Sequence, residues 1–152
     1  MAYLTLDQKK LHHNYNFLKQ TFAENNIEWA IVTKILCGNR LFLDEVLNLG
    51  INEVCDSRIE NIKVIKELRP DIQTVFIKPP SAGQIEDIVR YADVSFNTES
   101  ETIRLLSAEA VKQNKTHKVT IMIELGDLRE GIMGDHLIKF YDSVFNLPNI
   151  EI

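Results

Sequence analysis

Two short segments carry residue types suited to covalent chemistry on a small organic substrate. The first, Ala30-Ile31-Val32-Thr33-Lys34-Ile35-Leu36-Cys37-Gly38-Asn39, is an apolar, β-branched run that ends on a lysine before a turn. A protonated lysine is a poor nucleophile. An amine at the inward end of a strand, its pKa lowered by burial or by a neighbouring cation, suits condensation with an aldehyde. The second, Met122-Ile123-Glu124-Leu125-Gly126-Asp127-Leu128-Arg129-Glu130-Gly131-Ile132, closes another apolar run with an acidic residue and then brackets Arg129 with glycines. Such glycines let a loop fold tightly and approach a ligand without a Cβ in the way. The plainer readings are a solvated strand-end lysine for Lys34 and a surface ion pair with Asp127 or Glu130 for Arg129.

Chemistry at strand ends needs strands, and the sequence supplies them. Apolar, β-branched stretches at 29–34, 53–56, 73–78, 93–97, 118–124 and 149–152 alternate with helical patterns, the signature of βαβ units and a parallel sheet. The opening helix turns Leu11, Tyr15, Leu18 and Phe22 inward at 3.6-residue spacing. Helix starts are marked by capping boxes: Thr5 with Gln8, Ser57 with Glu60, Ser81 with Gln84, and Thr98 with Glu101. Pro79 and Pro80 end the third strand, because proline supplies no ladder donor.

Such a chain can be a complete doubly wound sheet or part of an eight-stranded barrel, which needs about 250 residues to close. Two observations favour an α/β fold of the partial TIM-type (β/α) barrel kind, with about six parallel strands. The last strand reads as cut short at Ile150-Glu151-Ile152, so residues 1–152 are expected to form the N-terminal part of a larger barrel. Strand parity also places Ala30, Val32 and Lys34 on one face, and Thr120, Met122 and Glu124 on the equivalent face. If that face is the barrel interior, Lys34, Asp56, Lys78, Asn97 and Glu124 gather at the carboxyl-end mouth, where barrel enzymes do their chemistry. Cys37, Asp56, Asn97 and Glu124 are accordingly candidate pocket-lining residues.

Composition narrows the function. With 45% hydrophobic and 26% charged residues the chain has an ordinary globular balance. A net charge of −5 with scattered Lys and Arg gives no basic stripe, which argues against nucleic acid. No apolar run is long enough to cross a bilayer, and Met1-Ala2-Tyr3-Leu4-Thr5 lacks a signal-peptide layout, so a cytoplasmic protein is expected. Cys37 and Cys55 are too few for a disulfide framework and lack zinc spacing. The four histidines form no metal-ligand pattern, so no metal is assigned.

The two opening segments also carry a resemblance. The strand ending at Lys34 resembles the first barrel strand of the alanine racemase family of pyridoxal-phosphate-dependent racemases, where the matching lysine forms the Schiff base with pyridoxal 5′-phosphate. Glu124, Gly126, Arg129 and Gly131 fit the fifth strand and following loop of that family residue by residue. The wording Gly126-Asp127-Leu128-Arg129-Glu130-Gly131-Ile132 looks most like its ornithine racemase branch, and His13-Asn14-Tyr15 leading to Leu18-Lys19 resembles its opening helix.

The resemblance implies an isomerase of amino-acid metabolism. Lys34 would hold the cofactor and take or return the substrate α-proton. Arg129 would lie near the cofactor's phenolic oxygen. It further implies a free amino-acid substrate, a basic one such as ornithine, or alanine, and a homodimer in the full-length protein. The second base and the phosphate site belong to parts absent from this chain, which is expected to bind the cofactor weakly or lack it. Leu36, Cys37, Gly38 and Asn39 depart from the tyrosine-containing loop of the alanine-specific pattern. The alternative is a non-catalytic pyridoxal-phosphate-binding protein with a related barrel.

Overall fold

A computed structural model describes residues 4–152; Met1, Ala2 and Tyr3, on which the reading of the N-terminus partly rests, lie outside the described residues. In chain order the elements are α1 (Gln8–Glu24), β1 (Ile31–Val32), α2 (Arg40–Leu47), β2 (Glu53–Asp56), α3 (Ile59–Leu68), β3 (Gln73–Phe76), α4 (Ile85–Tyr91), β4 (Val94–Asn97), α5 (Ser100–Lys112), β5 (His117–Ile121), α6 (Leu137–Asp142) and β6 (Ile150–Glu151). All strand pairs are parallel, and the spatial order is β1-β2-β3-β4-β5-β6.

That order decides between the two architectures open to the sequence. A doubly wound sheet reverses its strand order at a switch point and sends helices to both faces. Here the order never reverses, and the apolar core lies on one face alone. Ile62, Ile88, Val89, Ile103, Leu106 and Ala110 from the helices meet Phe76 and Val119 from the sheet, while Leu43, Leu47, Ile65 and Tyr15 cover Val54 near the first strands. On the opposite face Val32, Lys118 and Thr120 are exposed. The molecule is therefore the six-strand arc of a (β/α) barrel, its helices outside and its inner face open.

Register fixes which residues look inward. Ile31 pairs with Val54, and Val32 with Cys55; Cys55 pairs with Val75, Val75 with Val94, and Phe96 with Thr120. Parallel partners share a face, so Val32, Cys55, Val75, Val94, Phe96 and Thr120 line the interior, and Ile31, Val54, Thr74, Phe76, Ser95 and Val119 face the helices.

Several boundaries differ from the expected ones. The strands expected to end at Lys34, Lys78 and Glu124 end at Val32, Phe76 and Ile121. Of the four expected capping boxes only that of Ser81 forms, with Gln84 Oε1 accepting from the Ser81 N–H at 3.2 Å. Asp7 caps α1, its carboxylate accepting from the Lys10 N–H at 3.1 Å. The helices expected to start at Ser57 and Thr98 start one residue later, after Arg58 and Glu99, without a side-chain cap from either. At α3 the Arg58 N–H, just ahead of the helix, donates to the Asp56 carboxylate at 2.9 Å. In α1, Tyr15 is buried as expected, whereas Leu18 is half-exposed.

Candidate active site

Because every strand is parallel, the carboxyl ends of β1 through β6 open on one rim, and both chemical segments lie there. Thr33 makes the last ladder bond of the first strand, its N–H donating to Cys55 O at 2.9 Å. The chain then tightens into a 3₁₀ turn over Lys34–Leu36, closed by the Leu36 N–H on Thr33 O at 2.8 Å. Cys37 follows at φ 50° and Gly38 at φ 72°, and Asn39 caps α2 by accepting from the Leu41 and Phe42 N–H groups. Lys34 is exposed on this turn, and among the described residues its side chain makes no ion pair or hydrogen bond. Its amine is thus free for a ligand.

The second segment is folded back on the end of β5. Ile132 N–H donates to Met122 O at 2.8 Å and Glu124 N–H to Ile132 O at 3.0 Å, so residues 124–131 form a closed loop. Glu124 organises that loop from within, its Oε1 accepting from the Gly126 N–H at 2.5 Å and the Leu128 N–H at 3.0 Å. These backbone donors favour the charged carboxylate and hold Glu124 below the ordinary glutamate range. Gly126 takes φ 115°, Leu128 φ 53° and Gly131 φ 140°. Arg129 sits exposed at the tip without an ion pair among the described residues, so neither Asp127 nor Glu130 claims it.

Two expected lining residues belong elsewhere. Asp56 pairs in register with Phe76, and Asn97 with Ile121, which places both on the helix-facing side. Asp56 is fully buried and accepts from Thr33 Oγ1 at 2.9 Å, Arg58 N–H at 2.9 Å and Asn61 Nδ2 at 3.1 and 3.2 Å. Asn97, also fully buried, donates from Nδ2 to Ser95 O and Ser95 Oγ, each at 2.9 Å. Ser95 Oγ in turn meets His117 Nε2 at 2.8 Å. Burial pushes the His117 pKa down to about 4, so the ring is neutral. Among the buried side-chain polar atoms of the described residues, Asn97 Oδ1 alone lacks a partner. These residues form the framework under the rim rather than its lining. Cys37 is exposed beside the lysine turn, its Sγ 3.7 Å from Lys34 O and 3.8 Å from Arg58 Nη1.

Sequence reasoning missed Thr33 and Asn61, which hold Asp56 from either side. A period-two count from the core residue Val54 would have sent Asp56 toward the helices, and the same count from Ser95 does so for Asn97. Asn61 left no comparable signal, since a lone Asn in a helix reads as surface.

The residues on the rim fit pyridoxal 5′-phosphate in two respects: a free primary amine at the end of the first strand, and an unpaired guanidinium on a glycine-bracketed loop at the end of the fifth. The family described as alanine racemase, N-terminal domain, matches residues 6–152. Ornithine racemase from Acetoanaerobium sticklandii is 35% identical over 150 residues, covering 98% of this chain and 42% of that protein. The chain spans about two fifths of the length of the curated relatives it matches. Among solved structures, alanine racemase from Bartonella henselae with covalently bound pyridoxal phosphate aligns at TM-score 0.77 and 18% identity, over 95% of this chain and 42% of that one. PipY of Synechococcus elongatus with pyridoxal phosphate bound aligns at TM-score 0.69 and 16% identity, over 82% and 59%. No described helix is long and apolar enough to cross a membrane. With the matched family covering all but the first five residues of a chain whose strands run in barrel order, this protein belongs to the alanine racemase N-terminal domain family.

Proposed function

We propose that this chain is the cofactor-carrying part of a pyridoxal 5′-phosphate-dependent amino-acid racemase, with ornithine or another basic amino acid as substrate. The observation that carries the reading is Lys34: an exposed amine free of any ion pair among the described residues, at the carboxyl end of the first strand of a (β/α) arc. The Lys34 amine would hold the cofactor and, once released from it, take or return a proton at the substrate α-carbon. Bound there, pyridoxal phosphate supplies an electron sink for the charge left on that carbon. Arg129 would set a fixed cation against the cofactor. The closed loop 124–131 lets the backbone come near without side-chain bulk at Gly126 and Gly131.

The ornithine assignment is supported by the 35% identity to ornithine racemase and by the wording of residues 126–132. A second base for the opposite face of the substrate, and the phosphate-binding loops, would come from regions beyond the chain and from a partner subunit of a homodimer. Deuterium incorporation at the α-carbon of ornithine, lysine and alanine, measured with the chain joined to such regions, tests the reaction and its substrate. Exchange confined to ornithine supports the reading, and no exchange with any amino acid defeats it. The likeness to PipY favours one alternative, a pyridoxal-phosphate-binding protein without catalysis. That reading predicts a Lys34 adduct and no α-carbon exchange.

A further inference from the structure

The loop that carries Lys34 is gripped at both ends by one buried pair of side chains. At its start, Thr33 is 1% exposed, and its hydroxyl reaches Asp56 Oδ2 at 2.9 Å, closer than the Cys55 carbonyl at 3.3 Å. At its far end, a Cβ on Gly38 would lie 2.8 Å from Asn61 Oδ1, so the loop backbone is seated directly against that amide. Asn61 and Asp56 are joined to each other, since Asn61 Nδ2 donates to both carboxylate oxygens at 3.1 and 3.2 Å. The Arg58 N–H adds a further donor at 2.9 Å. No lysine, arginine or histidine pairs with Asp56 among the described residues, so hydrogen bonds alone satisfy this fully buried carboxylate.

The Asp56 carboxylate, fully buried and bonded on both oxygens, is held stiffly, because breaking one of these bonds strands a group that water cannot reach. The consequence falls on the residue between the two contact points. Thr33, pinned toward the helices, forces the next residues to leave the sheet, and Gly38, seated on Asn61, fixes where they return. We propose that Asp56 and Asn61, acting through Thr33 and Gly38, are positioning residues that fix the direction and reach of the Lys34 amine. The proposal rests on Lys34 being the cofactor lysine for what that amine is positioned to do.

Thr33→Val keeps the β-branched shape and removes the hydroxyl, Thr33→Ser restores it, and Asn61→Asp sets two carboxylates face to face. Two quantities are read in the chain joined to the regions that would complete the phosphate site: amide hydrogen exchange across residues 33–38, and the fraction of Lys34 trapped by borohydride after incubation with pyridoxal 5′-phosphate. In Thr33→Val and Asn61→Asp, exchange in this loop rises and trapping falls, each on the order of tenfold. Thr33→Ser returns both toward wild type, while exchange in α4 and α5 stays unchanged. Wild-type exchange in the loop of Thr33→Val, or faster exchange with undiminished trapping, overturns the positioning role. If wild type itself shows no Lys34 adduct while the loop responds as described, the cofactor reading fails and the grip on the loop stands.

Discussion

A Cβ on Gly131 would stand 2.5 Å from the amide nitrogen of Glu124, and the glycine holds φ 140°. The crossing of these two residues is what closes the loop bearing Arg129, and no side chain fits there. Gly131→Ala is expected to cost roughly 1–3 kcal/mol from backbone strain, with the clash against rigid backbone added. Gly126 also has positive φ but meets nothing within 4 Å, so Gly126→Ala carries strain alone. Urea unfolding of the two variants should rank Gly131→Ala clearly below Gly126→Ala; equal stabilities would contradict the close crossing.

Lys34 is exposed and free of protein partners among the described residues, so its removal should leave stability nearly untouched. Lys34→Ala is expected within about 0.5 kcal/mol of wild type by denaturant unfolding, with the borohydride-trapped pyridoxal phosphate adduct lost. A large loss of stability, or an adduct of undiminished yield on another lysine, would argue against the site.

His117 gives stability a pH dependence whose sign follows from its burial. Its pKa falls from 6.5 in the unfolded chain to about 4 in the fold, so between those values the unfolded state binds more protons. The fold therefore weakens as pH drops below 6.5, with the loss complete near 4, and the shift corresponds to roughly 3 kcal/mol. Comparing urea midpoints of wild type and His117→Gln at pH 7 and pH 4.5 isolates this contribution from that of the carboxylates. The gap between the two proteins should narrow at the lower pH.

Glu124 titrates in the opposite sense. Its folded pKa lies below the ordinary glutamate value, held there by the Leu128 and Gly126 N–H groups, so loop order persists above that ordinary value and is lost as pH falls through the folded pKa. Amide exchange at residues 126 and 128 should accelerate in that acidic window. Glu124→Gln should exchange faster at neutral pH and lose the acidic transition.

The two thiols should separate cleanly. Cys37 is exposed on the lysine turn, whereas Cys55 lies buried on the inner face and burial pushes its pKa up to about 11. A disulfide reagent at pH 8 should modify Cys37 rapidly in the native chain and reach Cys55 only in denaturant. Equal rates would place Cys55 nearer solvent than the structure does.

The positions of all six strands were legible as short apolar runs between turn signals, but the first and fifth end short of their expected residues, at Val32 and Ile121, so Lys34 stands exposed on a turn past the strand rather than buried at its inward end. What misled was the polarity of strand ends. Asp56 and Asn97 were read as lining residues because a polar residue closing a strand suggests a mouth, yet both sit under the sheet's outer face. Ser57 and Thr98 have the spacing of caps, yet Arg58 and Glu99 take the cap positions of α3 and α5 without a side-chain bond. The Asp56–Asn61 pair was out of reach as well: it joins a strand end to a side chain in the first turn of the next helix, and neither residue is unusual in its own neighbourhood.

The two faces of the sheet divide their duties. Thr33, Asp56, Thr74, Ser95, Asn97 and His117 are buried and bonded on the side of the helices, whereas Val32, Phe96 and Thr120 look into the open bowl. Substitutions in the bowl leave that scaffolding intact, so descendants of this fold are free to remodel their selectivity there without first having to evolve compensating repairs.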